Sequence, residues 1–206
     1  VDCLDTNSYP GNGNTWTSLI NTSNVGIMDP GVTFDGTHMV FASDNVSFDQ
    51  TTDPITSNVM STEVWFYSDG GGHDVVIGTR PRNSTDGGIH LRHHASRIYV
   101  YNDNNQNTYS LQNFSANTWH HLVVTTSGST FPGGIQIYLN GTPVIQGSDT
   151  ISSPWTSQTT LPLDVGGELG AGLFEGYIDI IRIYNRVLTP TEVQKNFDAE
   201  KSRFGL

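Results

Sequence analysis

The chain has 206 residues, with 22 Gly, 35% hydrophobic residues and only 14% charged ones, the composition of an all-β protein with many turns and not of a disordered chain. Twenty Asp and Glu against nine Lys and Arg leave a formal net charge of −11, and the sequence pI is about 4.7. Phosphate contact needs a positive field, so this balance excludes a general nucleic-acid binder or a binder of anionic membranes and suits divalent cations or neutral glycans.

This length accommodates one large β-sandwich, and residues 1–206 read as a single domain with 4 Trp, 9 Phe and 8 Tyr to fill its core. No run reaches transmembrane length and no signal peptide opens the chain; the start at Val1 rather than Met points to processing or trimming. Cys3 is the single cysteine, so no intrachain disulfide forms and the core must hold the fold, with or without a metal.

Residues 1–31 read as an irregular lead-in. Leu4 and Asp5 pair at a sheet edge, 9–14 turn, and Trp16 anchors the segment. Strands are predicted near 32–34 and 38–43, then a polar loop over 44–57, a strong strand at 59–67 and another at 74–79. Loop 80–87 is rich in Pro, Asn, Ser, Asp and Gly. A hairpin follows, with Ile89 to His93 turning at Ala95-Ser96 into Arg97 to Tyr101. Further strands fall at 108–111, 118–126, 134–140 and 162–166. Asn140-Gly141 has the composition of a two-residue hairpin turn, since both residues tolerate positive φ. Residues 148–161 form a long loop carrying Trp155, read as a lid on the core.

The last strand organises the rest. In Phe174 to Glu192 the alternation sends Tyr177, Asp179, Ile181 and Ile183 one way and Ile178, Ile180, Arg182 and Tyr184 the other, so both faces are covered. Asp179 therefore stands where a core residue is expected, and a buried carboxylate needs a cation, a donor network or a metal. The strand gives way to the single helix, about 190–202, through Thr189-Pro190-Thr191-Glu192, a capping box with proline at the first helical position.

The order R-I-Y-N-R-x-L-T-P-x-E over 182–192, after a strand with Asp in it, resembles the closing strand of laminin-G-like, concanavalin A-like jelly rolls. Val32-Thr33-Phe34-Asp35-Gly36 resembles the opening strand of that family and Thr62-Glu63-Val64-Trp65-Phe66 its E-x-W strand. Trp119-His120-His121-Leu122-Val123-Val124-Thr125 resembles its W-x-H-V-x-V-T strand, and Ile137 to Gly141 the hairpin after it. These matches occur in family order over most of 32–192. They imply an all-β, two-sheet antiparallel jelly roll with one short C-terminal helix, and little about the ligand, because the fold hosts lectins, glycanases, adhesins and structural modules. The two ends, with Leu4, Asp5, Ser8-Tyr9-Pro10-Gly11 and Trp16 at one and Lys201 to Leu206 at the other, resemble laminin-G-like proteins of marine bacteriophages.

In related jelly rolls the closing-strand Asp often binds a structural calcium. The resemblance therefore implies one structural Ca2+ held by Asp179, with Gly36 and Asp35 and with backbone and water completing the shell. The other reading is an Asp bonded to backbone amides or to an arginine such as Arg182. Glu63 invites a glycanase reading, yet the chain has five Glu and no E-x-D-x-x-E strand to supply paired carboxylates, so Glu63 reads as a structural hydrogen-bonding residue.

Lys and Arg are absent from 1–79 and 98–181, while Arg80, Arg82, Arg92 and Arg97 cluster beside His90, His93 and His94. If Ile89, Leu91, Ile98 and Val100 face the core, alternation puts His90, Arg92, His94, Arg97, Tyr99 and Tyr101 on the opposite face. Tyr, His and Arg together can stack a sugar ring, bond its hydroxyls or seat an acidic protein; the bland reading is a solvated sheet face. Zinc is disfavoured because adjacent His93 and His94 point to opposite faces. Trp119 and His121 share one face and read as core. The matches to Asn-x-Ser/Thr at Asn21, Asn45, Asn83, Asn113 and Asn140 are what composition gives by chance.

The expected function is a non-enzymatic phage virion surface protein: a capsid decoration, fibre or adhesion module. Its expected partners are other virion proteins or host-surface glycans, without nucleic-acid binding or membrane insertion. Homo-oligomers are common among such proteins, but no heptad or symmetry signal gives a number. The alternative is a carbohydrate-binding module of a secreted bacterial enzyme or adhesin, and after it a glycanase.

Overall fold

A computed structural model describes residues 1–17, 25–28, 30–43, 45–48, 59–69, 72–78, 90–101, 107–110, 112–128, 134–148, 163–167 and 172–206. The strands in chain order are β1 (Thr15–Thr17), β2 (Val25–Met28), β3 (Val32–Phe34), β4 (Met39–Ala42), β5 (Val46–Phe48), β6 (Val59–Ser68), β7 (His73–Gly78) and β8 (His90–His94). They continue as β9 (Arg97–Tyr101), β10 (Asn107–Ser110), β11 (Thr118–Ser127), β12 (Ile135–Leu139), β13 (Thr142–Pro143), β14 (Gln146–Ser148), β15 (Leu163–Val165) and β16 (Glu175–Tyr184). Helix α1 (Pro190–Glu200) and a 3-10 turn (Lys201–Phe204) close the chain.

The strands pair antiparallel into two sheets. One has nine strands in the order β1-β2-β5-β15-β7-β8-β9-β10-β14, and the other seven in the order β13-β12-β11-β6-β16-β4-β3. Between them lies one apolar core that includes Trp16, Met39, Phe41, Val64, Phe66, Leu91, Ile98 and Leu122, each at most 1% exposed. This is the expected two-sheet jelly roll. Two expectations need correction: the lead-in is not irregular, since β1 and β2 are strands of the larger sheet, and the loop over 44–57 contains β5. The Pro/Asn-rich loop 80–87, with Arg80, Arg82 and Asn83, lies outside the described residues, as do Asn21, Ile89 and Trp155.

Both predicted tight turns form. Asn140 and Gly141 have φ of +51° and +79° between β12 and β13, and Ala95 and Ser96 adopt positive φ between β8 and β9. Gly176 is required for a different reason: at φ +144° a Cβ there would stand 2.1 Å from the Tyr67 carbonyl oxygen.

The closing strand departs from simple alternation. Ile178 pairs with Phe66 and Ile180 with Trp65, so Asp179 is the extra residue of a β-bulge. The bulge reverses the phase: Tyr177 shares a face with Ile180, Arg182 and Tyr184, while Ile178, Ile181 and Ile183 face the intersheet core. The predicted grouping of Tyr177 and Asp179 with Ile181 and Ile183 is thereby corrected.

A second apolar layer lies on the outer face of the seven-stranded sheet. The capping box starts α1 as predicted, with Glu192 N–H donating to Thr189 Oγ1 and Thr189 N–H to Glu192 Oε2. The helix and the 3-10 turn then lay Phe197 and Phe204 against Trp65, with ring centroids 5.9 and 4.1 Å away and nearly parallel planes. Trp65, on the outer face of its strand, is therefore fully buried. Among the described residues, no helix is long and apolar enough to cross a membrane.

Candidate functional site

The hairpin β8–β9 behaves as its alternation predicts on the inner side: Leu91, His93, Ile98 and Val100 are buried. His93 is a core residue, with Nε2 3.1 Å from Ser68 Oγ and 3.4 Å from Asp74 Oδ2 and its ring edge-on to Phe114 and Phe174. On the opposite face Arg92, His94, Arg97, Tyr99 and Tyr101 are half-exposed. His90 shares that face by register but is only 1% exposed, so it is a buried support for Tyr101, 5.5 Å away, and not an open contact residue.

Strand register assembles a row that sequence reasoning captured only in part. Arg92 stands opposite Tyr99, Tyr99 opposite Tyr109, and Tyr109 opposite Gly147, crossing four adjacent strands. Ring centroids of Tyr99 lie 6.0 Å from Tyr101 and 5.2 Å from Tyr109, with interplanar angles of 23° and 30°. Arg92 lies over the Tyr101 ring at 5.5 Å and Arg97 over the Tyr109 ring at 6.0 Å. Arg97 Nε also donates to Asn113 Oδ1 at 3.3 Å. Gly147 lets Tyr109 lie flat on the sheet, because a Cβ there would come within 2.7 Å of the ring. Tyr109 was missed from sequence because its run, Asn107–Ser110, is polar apart from one aromatic. The predicted strand at 108–111, following directly on the hairpin that ends at Tyr101, was the sequence signal that could have set it beside Tyr99.

The second candidate centre is the bulge. Asp179 Oδ1 accepts the Met39 N–H at 3.0 Å, and Oδ2 lies 2.6 Å from His38 Nδ1 and 3.8 Å from Arg203 Nη2. Residues 1–3 pair with the bulged strand, with Cys3 N–H donating to the Asp179 carbonyl and Ile181 N–H to the Val1 carbonyl. Burial pushes the Asp179 carboxyl up, against the lowering effect of His38 and the Met39 amide. Burial, reinforced by the Asp179 carboxylate, raises the Cys3 thiol far above its ordinary range, so Cys3 is an inert core group.

Calcium takes six to eight oxygens, and this shell is built otherwise. The Asp179 oxygens face a backbone N–H, an imidazole and a guanidinium. Asp35 Oδ1 accepts the N–H groups of Thr37 and His38, both at 2.8 Å, and Gly36 holds the turn at φ +102°. Among the described residues no three His, Cys, Asp or Glu converge as metal ligands. The residues present do not fit a calcium ion, and the arginine nearest Asp179 is Arg203, whereas Arg182 belongs to another network.

That network centres on Glu63, fully buried beneath α1. Its carboxylate accepts from Arg182 Nη1 at 2.7 Å and from the Tyr184 hydroxyl and Asn196 Nδ2, both at 2.8 Å, and His121 Nε2 is 3.3 Å away. Glu200 pairs with the other side of the Arg182 guanidinium. Burial alone would raise the Glu63 carboxyl, but His121 and Arg182 outweigh it and hold it at about 2. The predicted structural role for Glu63 is what this geometry provides. His121 is buried as expected, but under the helix. Trp119 is only half-buried, packed between Tyr67 and Phe204.

Two antiparallel sheets in this order, with a helix on the smaller one, define a concanavalin A-like sandwich. The profile of the Laminin_G_3 family, described as the concanavalin A-like lectin/glucanases superfamily, matches residues 40–194, and the chain belongs to that family. Similar solved structures include domain 4 of AbnA, an extracellular arabinanase from Geobacillus stearothermophilus in complex with arabinotriose. It has 16% identity, a TM-score of 0.58, and coverage of 82% of this chain and 80% of that one. The receptor-binding domain of botulinum neurotoxin type G has 16% identity and a TM-score of 0.61, with 87% of this chain and 48% of that chain covered. Trypanosoma rangeli sialidase has 13% identity and a TM-score of 0.69, with 93% and 32% covered. The chain thus spans about half of the toxin domain and a third of the sialidase. No curated protein sequence matches this chain.

Proposed function

We propose that this domain is a non-enzymatic glycan-binding module whose contact surface is the outer face of β8, β9 and β10. The observation that carries the reading is the ladder Tyr99, Tyr101 and Tyr109, half-exposed rings inclined to one another by 23° and 30°, flanked by Arg92, Arg97 and His94. Aromatic faces stack on the C–H faces of sugars, and fixed donors beside them select hydroxyl geometry. Burial of Glu63 in a closed network under α1 speaks against its use as a catalytic acid or nucleophile.

The finer reading sets the module on a phage virion as a capsid decoration, fibre or adhesin, touching host glycans or other virion proteins; the likeness at both chain ends supports it. The alternative, a carbohydrate-binding module of a secreted enzyme, draws support from the arabinanase domain, which has a similar fold and was solved with arabinotriose. A glycan array with and without calcium tests the shared reading. Specific binding that Arg92→Ala with Tyr99→Ala removes from a folded protein supports it. A silent array from folded protein favours a structural decoration role.

A further inference from the structure

The ladder lies in a stretch of sheet where, among the described residues, this acidic protein gathers Arg92 and Arg97 with His90, His93 and His94. Strands β8, β9, β10 and β14 are neighbours in the nine-stranded sheet and contain no Asp or Glu, in a chain with twenty. Outside this face the described arginines are committed to carboxylates: Arg182 to Glu63 and Glu200, Arg186 to Glu192, and Arg203 to Asp2. Arg97 is different. Its side chain meets the Asn113 amide oxygen and the Tyr109 ring and, among the described residues, no carboxylate. A guanidinium has five N–H donors in a fixed fork suited to a bidentate anion, and here two neutral contacts hold it half-exposed beside a stacking surface.

We infer that the face selects anionic glycans, with Arg97 receiving a carboxylate or sulfate of a sugar stacked on Tyr99 and Tyr109. This rests on the glycan-binding reading and specifies its ligand class. The net charge of −11 repels polyanions at long range, so the attraction is local and confined to this patch.

The test uses matched probes: alginate oligosaccharides against the same material after carboxyl reduction, and fucoidan oligosaccharides against their desulfated form, by calorimetry with the whole chain. The inference expects an acidic member to bind at least tenfold more tightly than its neutralised partner, with affinity falling between 50 and 500 mM NaCl. The pair showing the effect identifies carboxylate or sulfate as the group bound. Arg97→Gln, checked for an unchanged melting curve, should reduce that preference to about twofold or less, since charge-assisted bonds to a guanidinium supply it. Equal binding of both members, or preference for the neutralised one, overturns anion selection and leaves the glycan reading standing. If neither pair binds and a neutral array is also silent, the glycan reading itself falls. Should Arg97→Gln perturb folding, the salt dependence and matched pairs on the unaltered protein still decide.

Discussion

Arg182 donates to Glu63 at 2.7 Å beneath the C-terminal helix, joining a carboxylate in the middle of β6 to a cation on β16. Glu200 from the end of α1 closes on the same guanidinium, so this polar cluster ties the helix to the sheet at a defined register. Breaking a buried pair from one side leaves an uncompensated charge. Arg182→Met should therefore cost about 3–5 kcal/mol, while Glu63→Gln with Arg182→Met together should cost less than the sum of the two. Urea melts of the four proteins measure the coupling.

Glu63 also sets a pH dependence. Its folded-state value of about 2 lies below the ordinary 4.5, so the unfolded chain binds the extra proton between them. The stability Glu63 contributes is fully present above about pH 4.5 and is lost as pH falls toward 2. Unfolding free energies at pH 6, 4.5, 3.5 and 2.5 should fall over this window, and Glu63→Gln should flatten the fall.

Asp179 runs the other way. Its folded-state carboxyl is raised, so the folded chain holds the proton more strongly and the cost of burying the charge is relieved as pH falls through that raised value. Asp179→Asn keeps an acceptor for the Met39 N–H and should change stability by less than about 1 kcal/mol, whereas Asp179→Ala orphans that donor and should cost about 1–3 kcal/mol. Because the shell is made of donors, EDTA should leave the melting temperature unchanged. A calcium-dependent rise in melting temperature that Asp179→Ala abolishes would overturn this reading.

Phe204 is nearly buried, stacked on Trp65 and 4.7 Å from Trp119. Phe204→Ala should cost about 3–5 kcal/mol and expose indole, with a red-shifted emission. Thermal melts followed by fluorescence test both effects.

Gly147→Val separates the ladder from the fold. The new side chain occupies the space under Tyr109 and must displace that ring, while the strand itself accepts Val readily. Glycan affinity should fall about tenfold with the melting temperature within a few degrees, as read by calorimetry on the array-selected ligand.

Much of this protein is legible in one sequence, and the residues show why. Thr189-Pro190-Thr191-Glu192 announces the helix start because a capping box is a local hydrogen-bond pattern, and Asn140-Gly141 announces its turn because positive φ is a local steric matter. Alternation in β8 and β9 correctly sorted Leu91 and Val100 from Arg92 and Tyr99. It failed in β16, where one bulged residue reversed the phase.

The sequence by itself determined the all-β class, the hairpin face with its arginines and tyrosines, and the unusual standing of Asp179 and Glu63. Only the tertiary structure decided their partners. Asp179 meets His38, Met39 and Arg203, Glu63 meets Asn196, and Tyr99 meets Tyr109 across pairings set by strand order in the sheet. Local sequence encodes backbone preference and periodicity, which act over a few residues. A contact between separate elements, ten positions apart for Tyr99 and Tyr109 and over a hundred for Asp179 and His38, depends on sheet order and register, and these are chosen by the packing of the whole core.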